Sequence, residues 1–241
     1  MLVLLAHSLV AYMVLAMPWV GRYKYRKLKC AIDAGIPGAR LHFYRISLLQ
    51  QALLTAFILS FALLGPAQRR EFGLTVPNAW DQTFAMLLTF AAAIGVSIII
   101  FRRVGDRWLR RLLKMAGALL PSTTSERWWF AGLSCGAGIS EELFFRGFLL
   151  WYLSAYAPKL SVGGLIVVSS AVFGFCHIYQ GWTGVIGTGV LGGVLAWLYI
   201  STGSLLGPIV IHALLDLRIL AIFTPGRLRS LHLQNAETQE Q

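Results

Sequence analysis

Seven stretches of this chain are apolar for long enough to need a solvent other than water. A helix crosses the roughly 30 Å hydrocarbon core of a bilayer with about 20 mostly apolar residues. On that measure the pattern predicts spans over about 2–20, 45–65, 84–101, 129–155, 161–180, 183–200 and 204–223. The first three are plain apolar runs. The last four are richer in glycine and carry ionisable residues. The chain therefore divides into a peripheral half (1–124), a functional half (125–223) and a polar tail (224–241) whose end, NAETQEQ, reads as disordered. The opening segment, MLVLLAHSLVAYMVLAMPWV, has no basic residue before Arg22 and reads as a retained first span rather than a signal peptide. The expected fold is an all-α polytopic transmembrane bundle of about seven spans.

The polar positions between the spans set its orientation. The gap after the first span holds Arg22, Lys24, Arg26, Lys27, Lys29, Arg40 and Arg45, the gap after the third holds Arg102, Arg103, Arg107, Arg110, Arg111, Lys114 and Arg127, and the tail adds Arg227 and Arg229. In a seven-span chain those sixteen lie on one side, against Arg69, Arg70 and Lys159 on the other. Basic residues gather on the cytoplasmic side, so the N-terminus is expected outside and the C-terminus in the cytoplasm. Trp108 to Leu120 spaces its apolar residues three and four apart with basic residues between. It reads either as an amphipathic helix on the inner surface or as an extension of the third span.

Composition agrees. The chain is 57% hydrophobic and 13% charged, against about 25% charged for a soluble domain. Its net charge of +11 is accounted for by topology and anionic lipid rather than nucleic acid. Cys30, Cys135 and Cys176 are odd in number and show no CxxC spacing, so they are expected to pack as small apolar side chains. Glycines at 181, 184, 187, 189, 192 and 193 crowd the sixth span, where small residues let neighbouring helices approach closely. The pairs Trp128–Trp129 and Trp151–Tyr152 sit where interface belts are expected.

Ionisable side chains inside spans are costly and mark function. In the fourth span, Glu142 and Arg146 are four apart and share a helix face, which pairs them and leaves the neighbouring Glu141, about 100° away, free as a general base. In the fifth, Phe173 and His177 share a face. In the seventh, His212 and Asp216 do, so the Asp is placed to orient the imidazole or to join it in binding a metal. Straight helices with these boundaries leave Glu141 and His177 up to about 10 Å apart in depth. Arg218 is expected to snorkel to the cytoplasmic surface, and His7, His42 and His232 have no partner by spacing. A base, an oxyanion stabiliser and a proton donor on three helices suit hydrolysis of an amide.

The motifs Glu141-Glu142-xxx-Arg146, Phe173-xxx-His177 and His212-xxx-Asp216, in that order, resemble those of the CAAX-protease and bacteriocin-processing (CPBP, or Abi-type) family of intramembrane proteases. The resemblance covers roughly residues 125–223. It implies that Glu141 activates water with His177 as its partner. His212 and position 216 would form the oxyanion site, with Glu142, Arg146 and Phe173 in support. Position 216 is Asp where eukaryotic-type members carry Asn, and an ionised Asp cannot donate to an oxyanion. The favoured mechanism needs no cofactor. A zinc-dependent version would use Glu141, His177, His212 and Asp216 as ligands and base, although their spacing fits no HExxH signature.

The sequence thus reads as an endopeptidase of the bacterial inner (plasma) membrane, acting on a membrane-associated protein or peptide. Its rivals are a non-catalytic binding or immunity protein on the same fold, an ion or proton transporter, for which no inverted repeat is visible, and a cysteine protease using Cys176, which points about 100° away from His177.

Overall fold

The computed structural model describes residues 2–64, 70–103 and 117–227, and among them every regular element is helical. The chain opens as one helical run, α1 (Leu2–Ala11) and α2 (Met17–Asp33), joined through a π-helical segment at Tyr12–Ala16. This run is longer than the predicted first span. Arg22, Lys24, Arg26, Lys27 and Lys29 lie on helix rather than in a loop, because Lys and Arg are good helix formers and their long stems carry the charges to water. Gly35 and Gly38, both at positive φ, turn the chain into α3 (Ala39–Leu64), and α4 is Trp80–Arg103.

A reciprocal cap opens α5 (Thr124–Glu142): the Thr123 hydroxyl accepts from the Glu126 N–H, and the Glu126 carboxylate accepts from the Thr123 N–H. The helix continues through a π-helical segment, Leu143–Leu149, into α6 (Leu150–Tyr156). Then follow α7 (Val162–Cys176), α8 (Gly181–Thr202) and α9 (Leu206–Ile222). Residues 104–116 and 228–241, which include most of the proposed amphipathic stretch and His232, lie outside the described residues.

Among the described residues four helices are long and apolar enough to cross a membrane: Val3–Asp33, Ala39–Leu63, Trp80–Arg103 and Ile178–Thr202. The other three predicted spans are helical but differ from these. The first carries Glu141, Glu142 and Arg146; α7 has 15 residues and α9 has 17. At about 1.5 Å per residue α7 is roughly 22 Å long, short of a roughly 30 Å hydrocarbon core. Large apolar side chains face outward, among them Leu4 and Leu88, each 71% exposed, and Val190 at 66%. That is a surface for lipid, since a soluble monomer rarely exposes so much contiguous apolar area.

The core lies where α3, α5, α7 and α8 meet around the π-helical segment. Phe144, Phe145, Phe148, Leu149 and Phe173 are buried there, with Phe61 from α3 and Phe72 from the segment before α4. That segment is pinned across the ends of α8 and α9, with the Tyr199 hydroxyl donating to the Glu71 carbonyl and the Leu205 N–H to that of Gly73. Trp151 packs on Phe72 and Phe148 as part of this cluster.

Glycines set the close approaches. A Cβ on Gly174 would lie 2.6 Å from the Val185 carbonyl oxygen, so α7 and α8 touch backbone to backbone. A Cβ on Gly138 would lie 2.9 Å from the Ile209 carbonyl oxygen, so α5 and α9 do the same. Of the sixth-span glycines, 189, 192 and 193 face α7, whereas Gly187 faces open space and Gly181 (φ +77°) makes the turn into α8.

Candidate active site

The π-helical segment carries Arg146 into the core. Arg146 and Glu142 are both fully buried and form an ion pair at 2.8 Å. The other end of the guanidinium donates to the Gly192 carbonyl on α8 at 3.0 Å, and its plane lies 4.4 Å from the Phe173 ring of α7. One side chain thus ties three elements together. Gly192 permits it, since a Cβ there would press on Phe173 at 3.0 Å and on the guanidinium at 3.4 Å. π-Helical turns recur at functional sites, and this one follows directly on the paired glutamates.

Glu142 holds a second partner. The Nδ1 of His212, on α9, lies 2.6 Å from Glu142 Oε1. An ionised carboxylate only accepts, so Nδ1 carries a proton and donates it. The buried pair therefore fixes the imidazole, with Nε2 aimed at Glu141. The contact depends on the glycine-mediated approach of α5 and α9. Asp216 is more distant: its Oδ2 lies 3.9 Å from His212 Nε2, and its side chain is 45% exposed. The residue that orients His212 is Glu142, not the Asp one helical turn along α9.

His177 is the residue after α7. Its N–H bonds to Gly174 as the helix ends, which frees the Phe173 carbonyl, and that carbonyl accepts from His177 Nδ1 at 2.8 Å. A carbonyl has no proton to give, so in the neutral ring Nε2 is the lone-pair nitrogen. It faces Glu141 Oε2 at 3.7 Å. The expected depth mismatch between Glu141 and His177 is absent, since the two side chains lie 3.7 Å apart.

Glu141 Oε2 therefore lies between two imidazole nitrogens, His177 at 3.7 Å and His212 at 4.0 Å. It is buried and has no hydrogen-bond partner among the described residues. Such a group demands a polar partner, and the separations suit a bridging water better than direct bonds. These separations are wider than the about 3.3 Å between neighbouring ligand atoms of a tetrahedral zinc site with bonds of about 2.0–2.1 Å, and among the described residues no group of three or more His, Cys, Asp or Glu is arranged to hold a metal.

Residues 123–218 match the family model described as type II CAAX prenyl endopeptidase Rce1-like. This segment is an Rce1-like domain. No curated protein and no solved structure matches the chain. The matched segment contains all seven motif residues and agrees with the CPBP resemblance, and together with the apolar helices it supports an integral membrane protein.

Other expected positions fall differently. Cys176 is buried, and its thiol donates to the Met13 carbonyl at 3.5 Å. Cys30 and Cys135 are exposed rather than packed, since each lies on an outward helix face. His7 does have a partner, the Tyr152 hydroxyl at 2.6 Å, from a helix too distant in sequence for spacing to reveal. The Arg218 Nε is buried and has no hydrogen-bond partner among the described residues, so this nitrogen does not reach the surface.

The sequence reading missed the other wall of the site. A cavity of about 470 Å³ opens beside Glu141 and His177 and is closed by α2 and α3, through residues such as Met17, Lys24, Ser47, Gln50, Gln51 and Leu54. The signal was present: Ser47, Gln50, Gln51 and Leu54 form one stripe, three polar and one apolar, inside a predicted span, and lipid tolerates such polar groups poorly.

Proposed function

We propose that the protein is an intramembrane endopeptidase that hydrolyses a peptide bond in a membrane-associated protein or peptide with water activated by Glu141. The observation that carries this reading is the position of Glu141 Oε2, buried and unpartnered between the Nε2 atoms of His177 and His212 beside a cavity. A water there donates one hydrogen to Glu141 Oε2 and the other to His177 Nε2, which leaves a lone pair for attack. Glu141 takes the proton as the water oxygen bonds to the substrate carbonyl carbon. Doubly protonated, His212 donates its Nε2–H to the developing oxyanion. The new carboxylic acid of Glu141 then passes its proton to the leaving nitrogen as the C–N bond breaks, which gives a carboxylic acid and an amine and restores the Glu141 carboxylate.

Glu142, Arg146 and Phe173 position the two imidazoles. Asp216 borders His212 and tunes it. This route uses no metal. In a seven-span chain the basic bias of the connecting segments supports an N-terminus outside and a C-terminus in the cytoplasm, and a bacterial inner-membrane location belongs to the same proposal.

The reading is tested in cells by mass spectrometry of peptide termini in the membrane fraction, comparing wild type with Glu141→Gln. Termini that appear only with wild type are expected. Identical profiles, together with full complementation of a deletion by Glu141→Gln, make the protein a binding or immunity protein on this fold.

A further inference from the structure

The far wall of the cavity takes no part in the chemistry above. α2 presents Met17, Gly21 and Lys24 to it, and α3 presents Ser47, Gln51 and Leu54, in each case residues three or four apart on one face. The two helices form a hairpin, so the polar ends of the two stripes meet: the Lys24 ammonium donates to the Gln50 side-chain oxygen. Met17 and Leu54 lie at the apolar end. The cavity is therefore graded, polar at one end and apolar at the other, with Glu141 and His177 along its side.

Lys24 differs from its neighbours. Arg22, Arg26, Lys27 and Lys29 on the same helix are exposed, as expected for topology signals, whereas Lys24 is partly buried and lines the cavity. Among the described residues no carboxylate lies within ion-pair distance of it. An ammonium has three N–H donors, and a charge-assisted bond to an anion is about twice as strong as one to a neutral oxygen. Gly21 faces Cys176 and Tyr179, which flank His177, and Lys24 lies three residues on, about 4.5 Å along the axis. The cation is thus within a few residues' reach of the reacting atoms.

We propose that Lys24 is a specificity residue that binds a carboxylate of the substrate and so holds the chain across Glu141 and His177. This rests on the peptidase reading. The carboxylate is supplied either by the substrate's own C-terminus or by an acidic side chain close to the scissile bond.

The test uses the full-length protein in lipid nanodiscs with S-farnesylated fluorescent peptides of one sequence in three forms: free acid, C-terminal amide, and amide with one Asp introduced near the end. Wild type should favour the free acid or the Asp-containing amide over the plain amide by about tenfold in kcat/KM, mostly through KM. Which of the two is favoured identifies the source. Lys24→Met should bring kcat/KM for the free acid and the Asp-containing amide down to its own value for the plain amide, and Lys24→Arg should keep part of the preference. Equal use of all three peptides by wild type, or an undiminished preference in Lys24→Met, overturns the proposal and leaves the peptidase reading intact. Binding to Glu141→Gln by fluorescence anisotropy separates the two claims. A carboxylate preference there that depends on Lys24, without turnover by wild type, upholds the anion site and removes the peptidase reading.

Discussion

Removing the Arg146 guanidinium should destabilise the protein more than any other single change at the site. Arg146→Met keeps the apolar stem but deletes the 2.8 Å ion pair to Glu142, the 3.0 Å bond to the Gly192 carbonyl and the stacking on Phe173 at 4.4 Å. The loss leaves Glu142 fully buried with only His212 as partner. Breaking a buried pair from one side costs about 3–5 kcal/mol, most of it from the stranded charge. For a chain of this size that corresponds to a fall in Tm of roughly 10 °C, readable by fluorescence-detected size-exclusion thermostability in detergent. Glu142→Gln with Arg146→Met should recover at least half of the loss, because the neutral amide still accepts from His212 Nδ1. A single variant as stable as wild type, or a double variant no better than the single, refutes the reasoning.

Three further outcomes follow from the geometry. Asp216→Asn removes a half-exposed carboxylate 3.9 Å from His212 Nε2 and adds an N–H donor; kcat should hold or rise by no more than about tenfold, and a loss beyond about a hundredfold in peptide cleavage would show that the carboxylate itself is needed. Gly174→Ala should abolish folded yield on size-exclusion, since its Cβ would lie 2.6 Å from a backbone oxygen, whereas Gly187→Ala, with nothing within 4 Å, should be neutral; equal behaviour of the two contradicts the close α7–α8 packing. Cys176→Ala should keep peptide cleavage within about tenfold of wild type, and a dead but folded variant would revive a thiol mechanism.

Much of this was legible in the sequence because membrane chemistry leaves few choices. Ionisable residues inside apolar runs announce themselves, and the i, i+4 spacing of Glu142 and Arg146 gives their pair directly. Spacing also shows that Glu141 lies on a different face. It does not show distant partners. The His212–Glu142 bond spans 70 positions and arises from the glycine contact of α5 with α9, so Asp216, the local neighbour, looked like the orienting group. The end of α7 was invisible because Phe173 to Gln180 stays apolar enough to continue a span. Only the backbone shows that the helix stops at Cys176 and frees the Phe173 carbonyl for His177. The α2–α3 wall was overlooked because its polar stripe is diluted in the hydropathy of whole spans.

The central claim is that Glu141, with His177, activates water without a metal. It is tested most directly by incubating purified protein in detergent with a library of membrane-anchored peptides, comparing wild type, Glu141→Gln and His177→Ala, each with and without a strong chelator. Wild type should cleave and the chelator should leave that cleavage unchanged, while both variants lose at least a hundredfold with their Tm near wild type. Cleavage by Glu141→Gln at the wild-type rate, or activity abolished by the chelator and restored by zinc, contradicts it.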